Sequence, residues 1–398
     1  MLDPHGRAFR VLLGAQSMVS SLAVDMSLPA LPAITASLHT DPARAQLTIG
    51  FYLLGYASGQ LFYGPLSDRF GRRPILLIGL AIYTLCGFLC TFAPTIDLMI
   101  AVRLLQGFGG AVGVVVTRAA ARDHFGGREL AQMMSSITAV QAFGPLVAPV
   151  LGGILATHFD WHIIFLVQGC FAAAMLISTW AGFAESIKQR DLHAIRPARL
   201  LANYWTFFTN PRCIGFALVS ASVFTGLFIV LSASPFVLIE VYGLSSQAYG
   251  FFFGASVLGY MVGSFGNRRL LRGTVQSETV LRWGLVVLIA AAAAMLFFAA
   301  NMLGGVAGIM GPYVTYCFAI SLVQSNAVAA AMEPVPHMAG TGASLMGAIQ
   351  MASAAVGGFI VDLFFDGTGT PMGVGMASAA LAATAFYWLI ARLNRPSL

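Results

Sequence analysis

The chain has 398 residues, of which 58% are hydrophobic and only 9% charged, and its formal net charge is +6. A soluble protein carries about 25% charged residues, so this composition excludes a soluble globular enzyme, a disordered chain and a disulfide scaffold. It predicts an all-helical, polytopic membrane protein, because each span needs roughly 20 apolar residues and backbone groups in lipid must be satisfied internally.

Apolar runs separated by charged or turn residues predict twelve transmembrane helices. In chain order they cover residues 10–34, 46–66, 74–94, 97–121, 131–156, 161–183, 213–240, 247–266, 279–300, 302–330, 339–362 and 371–391. The longest polar stretch follows the sixth span and predicts a cytoplasmic linker at 184–212. We therefore expect two pseudo-symmetric six-helix bundles, over residues 1–183 and 213–398.

Two short basic segments support a duplication of the chain. Residues 64–74 follow the second span and residues 263–269 follow the eighth, and both begin with glycine and are rich in arginine. They are expected to be equivalent loops of two parallel repeats. The second departs from the first at Asn267, where an acid would match Asp68, so a charged network at this position is expected mainly in the first half.

The positions of the 21 basic residues predict the topology. With the N-terminus inside, all of them except Arg44 and Arg103 fall on cytoplasmic loops or ends. This is a positive-inside pattern, which places both termini in the cytoplasm. The positive net charge is then a topology signal, and no nucleic-acid partner is expected.

Two opposite charges are expected inside the membrane. Asp25 lies in the first span and Arg103 in the fourth, and both are roughly 9–11 Å below the outer ends of their helices at 1.5 Å per residue. Charges at this depth usually face a bundle interior or a water-filled path. We favour a coupling or substrate-binding pair that faces a central cavity. The alternative is a structural ion pair that fixes helix packing.

Other intramembrane polar and aromatic side chains could contact a small ligand or pack between helices. The candidates for a central cavity are Tyr52, Tyr56, Gln60, Gln106, Gln141, Phe143 and Phe236. Asp362 is expected to be solvated near the outer surface. The sequence contains no glycine–lysine nucleotide loop and no metal-ligand cluster, so we expect no enzymatic activity, no metal and no cofactor.

Residues 64–74 resemble the signature of the major facilitator superfamily. Three further segments are similar to motifs of its members. Residues 103–111 resemble the fourth-helix motif of proton-coupled members, and residues 144–153 resemble the fifth-helix motif of exporters. Residues 25–32 are similar to the first-helix pattern of the Bcr/CflA branch of drug:proton antiporters.

This resemblance implies proton-driven export of small amphipathic drugs or metabolites by alternating access. The transporter would act as a monomer in the bacterial inner membrane, with lipid around it and protons as the coupling ion. Asp25 would be the protonatable site, and Arg103 would take part in proton coupling. The alternative on the same fold is a proton-coupled symporter that imports a sugar or an organic acid.

The resemblance also assigns roles to two groups of residues. A cytoplasmic gate would comprise Gly64, Asp68, Arg69, Gly71, Arg72 and Arg73, with Arg118 and Arg122. Close packing and bending of the fifth helix would depend on Gly144, Pro145, Pro149, Gly152 and Gly153. For the first group, the simpler alternative is a basic loop that only sets topology.

Overall fold

A computed structural model describes residues 3, 6–187, 189–273, 275–335 and 338–393. Lys188 and Arg395, two of the basic residues used for the topology, lie outside the described residues. Throughout the described part the regular structure is helical, without a β-strand.

Fourteen α-helices form the described fold. They are α1 (Arg7–Asp25), α2 (Leu31–Ser37), α3 (Pro42–Phe70), α4 (Arg72–Thr91), α5 (Ile96–His124), α6 (Gly127–His158), α7 (His162–Gly182), α8 (Pro197–Thr209), α9 (Pro211–Pro235), α10 (Ser246–Leu271), α11 (Ser277–Ala300), α12 (Gly305–Met332), α13 (Ala339–Leu363) and α14 (Thr370–Leu393). A 3₁₀ turn at Leu28–Ala30 joins α1 to α2, and a π-helical segment at Phe236–Val241 extends α9.

Eleven helical segments of the described chain are long and apolar enough to cross a membrane. The second predicted span, α3, is 29 residues long but less apolar, because Gln46, Thr48 and Gln60 lie buried along it. Together these segments correspond to the twelve predicted spans. We call the end where α1 begins the inner end and the opposite end the outer end, following the predicted topology.

The linker contains one helix that the sequence analysis did not predict. This helix, α8, buries Phe207 against the bundle and leaves Leu201 and Trp205 exposed. It is too short to span a bilayer, and its apolar residues are separated by polar ones. A search for long apolar runs therefore passes over it.

Helix pairing repeats between the two halves of the chain. In the first half α1 packs on α6, α3 on α5 and α4 on α7. In the second half α9 packs on α13, α10 on α12 and α11 on α14, so each pair recurs six spans later. Two further pairs join the halves, α3 with α13 and α6 with α10. This pattern supports two six-helix bundles, whose boundaries remain a prediction.

The two basic segments are not loops, contrary to the expectation. Helix α3 continues to Phe70 and α4 begins at Arg72, so only Gly71 separates them, with a φ of +107°. Residues 263–269 lie entirely within α10. Basic side chains in a last helical turn interact favourably with the helix dipole, so the charges prolong these helices.

Helices α3 and α5 are in backbone contact through glycine. A Cβ atom at Gly55 would lie 1.9 Å from the carbonyl oxygen of Leu104, and one at Gly107 would lie 1.9 Å from that of Tyr52. Small residues allow this approach, which maximises van der Waals contact where lipid supplies no hydrophobic driving force. The pair therefore forms a tightly packed unit of the first half.

We expect Gly107→Ala to lower the free energy of unfolding by about 1–3 kcal/mol, because the added methyl group forces the two backbones apart. The measurement is denaturant unfolding in detergent micelles. Gly311→Ala is the matched control, because a Cβ there meets nothing within 4 Å. Equal stability of the two variants would contradict the packing described here.

Candidate functional site

The first span is interrupted at the position of its carboxylate. Helix α1 ends at Asp25, and the chain resumes a helical path through the turn at Leu28–Ala30. Pro29 and Pro32 lack an N–H group, so they cannot continue the hydrogen-bond ladder of α1. The last carbonyl groups of α1 consequently need other donors, and unsatisfied polar groups are costly in lipid.

Arg103 is one of several donors at this break, where the Ser27 hydroxyl also lies within hydrogen-bond distance of the carbonyl oxygens of Ala23, at 3.1 Å, and Val24, at 2.8 Å. The Nη2 of Arg103 donates to the carbonyl oxygen of Ala23 at 3.1 Å, its Nε donates to that of Thr48 at 3.4 Å, and its Nη1 donates to Gln106 Oε1 at 2.8 Å. Gln168 Nε2 also donates to the Ala23 oxygen, at 3.4 Å. One side chain of α5 thus ties α1 to α3.

The charge of Arg103 is stabilised without a carboxylate. Its side chain is 0% exposed, and the guanidinium carbon lies 4.6 Å from the ring centroid of Tyr52 and 5.6 Å from that of Phe165. The C-terminal end of α1 adds the negative end of a helix dipole. Among the described acidic residues none is within ion-pair distance of Arg103, so the direct pair with Asp25 is absent.

Asp25 lies between the two halves. It is 8% exposed, and it is close enough to Tyr52 of α3, Tyr249 of α10 and Tyr313 of α12 to act on their hydroxyl groups electrostatically. The 3₁₀ turn that follows it packs against α6, α9 and α10. Any movement of one half against the other therefore changes the surroundings of this carboxyl group.

Segment 144–153 of α6 fits closely between α1 and α10. A Cβ at Gly152 would lie 2.1 Å from the carbonyl oxygen of Met26, inside the break of the first span. A Cβ at Gly153 would lie 2.5 Å from the carbonyl oxygen of Ser246 in α10. Gly153 thus brings the halves together near the outer end, and Gly152 brings α6 close to the break of the first span within the first half.

A cavity of about 360 Å³ lies between the halves at the inner end. Its polar lining comprises Gln60, Asp68, Arg72, Arg118, Arg122, Asp123, Tyr204, Thr341 and Ser344. These residues come from α3, α4, α5, the linker helix α8 and α13. Arg118 also donates to Gln141 Oε1 at 3.3 Å. The volume and mixed lining are suited to a small molecule with polar and apolar parts.

The other predicted cavity residues lie apart from this space. Tyr52 and Gln106 hold Arg103, and Tyr56 is buried beside Gln60. Phe143 is 58% exposed on the surface of α6. Phe236 is fully buried near the outer end, and its ring centroid lies 6.1 Å from that of Phe365.

Arg72 is the centre of the inner-end network. Its Nη1 donates to Asp68 Oδ1 at 2.5 Å and to Ser67 Oγ at 2.7 Å, and its Nε donates to Asp123 Oδ2 at 2.9 Å. Glu185 accepts from the backbone N–H of Arg72 at 2.9 Å. The network joins the ends of α3 and α5 to the start of α4 and of the linker.

Sequence reasoning missed two members of this network, Asp123 and Glu185. Asp123 lies in the last turn of α5, where the helix dipole disfavours an acid. That mismatch was a signal that the residue has a cationic partner. Of the predicted members, Arg69 lies over the Phe70 ring. The backbone N–H of Arg73 donates to Glu185 Oε2 at 3.3 Å, and its side chain donates to the carbonyl oxygen of Trp180. Arg122 donates to the carbonyl oxygen of its own-helix neighbour Arg118.

The equivalent place in the second half contains neutral groups. Asn326 Nδ2 donates to Asn267 Oδ1 at 3.0 Å, and both side chains are buried. The hydrogen bond joins α10 to α12, as the Arg72 network joins α3 to α5.

Asp362 is buried, which corrects the expectation of a solvated side chain. It is 6% exposed at the outer end of α13. Ser232 Oγ of α9 lies 3.4 Å from Asp362 Oδ1 and 3.1 Å from Oε1 of Gln46 in α3. The side chain stays inside because α13 continues to Leu363 and remains packed on α3 and α9.

We expect Arg103→Lys to lower the free energy of unfolding by about 2–3 kcal/mol, although the charge is kept. An ammonium group cannot reach three acceptors on different helices at once, so buried acceptors lose their donors. The measurement is denaturant unfolding, with the exposed Arg44→Lys as control. An equally small effect of both substitutions would refute the role given to the guanidinium group.

We expect Asp123→Asn to destabilise the protein by about 1–3 kcal/mol, because the buried Arg72 loses its charged acceptor on α5. The thermal unfolding midpoint should fall. Asp191→Asn, which removes an exposed acid paired with Arg199, provides the comparison and should have little effect. A midpoint unchanged by Asp123→Asn would show that the network does not stabilise the inner end.

Comparisons with known proteins agree with the architecture. The family profile described as Major Facilitator Superfamily matches residues 13–358. A bicyclomycin resistance protein homolog of Haemophilus influenzae is 33% identical over 394 residues, which cover 96% of each chain. A chloramphenicol resistance protein of Pseudomonas aeruginosa is 29% identical over 372 residues, which cover 91% of this chain and 85% of the relative.

The fold is also that of a solved transporter. The crystal structure of a D-xylose-proton symporter superposes with a TM-score of 0.77 over 95% of this chain and 97% of its own, at 11% identity. At that identity the likeness concerns the fold alone. The family profile and the curated relatives confirm the resemblance found in the sequence motifs, including that to the Bcr/CflA branch. The chain belongs to the major facilitator superfamily, whose members are membrane transporters and not enzymes.

Proposed function

We propose that this transporter exports small amphipathic compounds in exchange for protons. The observation that carries the proposal is the position of Asp25, a buried carboxyl group at a break in the first span and between the two halves. A membrane-embedded carboxyl group of this kind is expected in a proton relay. The printed names of the bicyclomycin and chloramphenicol resistance relatives support drug-like substrates.

The arrangement of the halves supports alternating access. They pack closely near the outer end, where α6 meets α10, and they enclose the cavity at the inner end. A compound would enter this cavity from the cytoplasm and leave after the halves rock about the centre. Asp25 would take up a proton in the outward-facing state and release it inward as the next compound binds.

The proton gradient is sufficient for this exchange. Each proton that moves inward supplies about 1.4 kcal/mol per pH unit, and about 2.3 kcal/mol per 100 mV of membrane potential. Together these terms allow a solute to be concentrated outside tens-fold or more.

Arg103 would act as a positioning residue. It touches the backbone at Ala23, two residues before Asp25, and it makes no ion pair with that carboxyl group. Its guanidinium group would therefore set the geometry of the break, and through it the position of Asp25. This differs from the charge pair that the sequence favours.

The remaining features of the proposal follow the predicted topology. The transporter would lie in the bacterial inner membrane as a monomer with both termini in the cytoplasm. Residues 1–183 and 213–398 would move as two bundles, joined by the linker at 184–212. The Arg72 network would open and close the inner end as a gate.

The test is substrate-dependent proton movement in everted vesicles with an acidic interior. Addition of chloramphenicol or another phenicol should release protons in the wild type, and Asp25→Asn should abolish that release. Asp97→Asn, which alters an exposed acid at the outer end, serves as the control and should behave like the wild type. All variants are compared at matched expression.

Two results would count against the proposal. Undiminished proton release by Asp25→Asn would remove Asp25 from the coupling step. If the wild type gave no release with phenicols or with lipophilic cations, exchange of amphipathic compounds for protons would be refuted. Compound-dependent proton uptake in the opposite sense would favour the symport alternative.

A further inference from the structure

We infer that Asp362, together with Ser232 and Gln46, forms a second proton-binding position that holds the outer end of the transporter closed. We call these three side chains the outer latch. The inference rests on the proposed alternating access, but it concerns a group separate from Asp25 and a step separate from substrate exchange.

The outer latch crosses the boundary between the halves. Gln46 belongs to α3 of the first half, whereas Ser232 and Asp362 belong to α9 and α13 of the second. All three side chains are buried, and they line a small cavity of about 10 Å³. They are the polar groups of an otherwise apolar contact, which includes Leu47 and Phe359.

With the Gln46 amide oriented as in the structure, the hydrogen bonds of the outer latch require a proton at Asp362. The Ser232 hydroxyl has one hydrogen but lies near two oxygen acceptors, Gln46 Oε1 at 3.1 Å and Asp362 Oδ1 at 3.4 Å. If Asp362 carries a proton, it donates to Ser232, and Ser232 donates to Gln46. These two hydrogen bonds then join the halves, and the carboxyl hydrogen and the hydroxyl hydrogen each have one acceptor.

An ionised Asp362 breaks this chain. Ser232 would turn its hydrogen to the carboxylate, and the Gln46 oxygen would face the lone pairs of Ser232 without a donor. If the Gln46 amide rotated, its Nε2, which otherwise has no partner, would donate to Ser232 Oγ. The carboxylate would still be buried among apolar side chains with one long hydrogen bond, which is a costly state for a charge.

No charged partner offsets this cost. In the described part of α3, α9 and α13 the side chains that line the small cavity with Asp362 are uncharged. The nearest charged residue along α3 is Arg44, which is bonded to Asp97 at the surface. At the same end Glu240 is exposed beyond α9, and hydrogen bonds from Thr368 hold the pKa of Asp366 below its usual range; neither acid lines the small cavity.

The outward-facing state must separate α3 from α9 and α13, which exposes Asp362 to external water. The carboxyl group can ionise there, and it must regain a proton before the outer end closes again. Closing therefore takes up one proton from outside, and opening returns it to the same side. Such a proton controls the gate without adding to the number of protons carried across the membrane.

The expected sign follows from linkage. Because the closed state binds the proton more tightly, a fall in external pH favours closure. Over the range in which only the closed state holds the proton, the ratio of closed to open molecules changes by up to tenfold per pH unit.

The test is the distance between spin labels at the outer end of the purified transporter in lipid nanodiscs without substrate. Labels at Thr95→Cys and Asn301→Cys report on the two halves, and Cys170→Ser removes the exposed native thiol. In the wild type the short-distance population should fall as pH rises from 5 to 9. Asp362→Asn should keep that population at every pH, because the amide donates to Ser232 permanently.

Three further variants complete the test, and the first separates this inference from the proposed function. Asp25→Asn should keep the pH response of the outer end, even though it loses proton exchange. Ser232→Ala removes the central link and should shift the population to the open form at low pH, which tests the outer latch if Asp362→Asn folds poorly. Asp366→Asn, a change of a solvated acid at the same end, should behave like the wild type.

The outer latch would be refuted by a pH response that survives in Asp362→Asn. It would also be refuted if the pH response of the outer end disappeared in Asp25→Asn and not in Asp362→Asn. That result would leave the proposed function intact. An outer end that does not respond to pH in the wild type would equally overturn it.

Discussion

The structure depends on the hydrogen bonds made to backbone carbonyl groups at one interruption of the first span. Two prolines end the hydrogen-bond ladder of α1 inside the membrane, and the freed carbonyl groups need donors that lipid cannot provide. The Ser27 hydroxyl, Arg103 and Gln168 supply donors to the last carbonyl groups of α1. Since the Arg103 guanidinium group also bonds to α3, satisfying α1 fixes three helices and the position of Asp25 together. The placement of the Arg103 charge and the geometry of the α1 backbone are therefore determined by the same hydrogen bonds.

Close backbone contacts decide which parts of the molecule move together. Gly55 and Gly107 bring α3 and α5 into direct contact, so the first half is stiff at this pair. The contact of segment 144–153 with α10 lies between the halves, so the proposed alternating access would remake it in each cycle. A bundle whose internal packing is tighter than its outer rim is suited to rocking. Under the proposed alternating access, the inner cavity of about 360 Å³ would be the space that one rocking position leaves.

Much of the fold could be predicted from the sequence, because apolar runs of about 20 residues leave little choice in lipid. The pattern also places Asp25 in the first span and Asp68 among Arg69, Arg72 and Arg73, with which it can pair locally. The partners of Arg103 could not be predicted, because most of them are backbone carbonyl groups, which every residue has. Asp362 was misjudged for a related reason. Its position near a helix end suggested water, but burial there is decided by the packing of α3 and α9 on α13.

The inner ends of the two halves differ in a way that matters for a protein in an electric field. In the first half a guanidinium group between two carboxylates joins α4 to α3 and α5, whereas the equivalent contact of α10 with α12 is a hydrogen bond between the amides of Asn267 and Asn326. The ion pair of Arg212 with Glu333 lies elsewhere at the inner end of the second half. Two amides carry no net charge, so dissolved salt does not screen them and the membrane potential exerts no net force on them. The charged trio responds to both. At these two equivalent contacts the nearly symmetric helix pairing therefore differs in charge, and salt or voltage would act on the contact around Arg72 more than on that between Asn267 and Asn326.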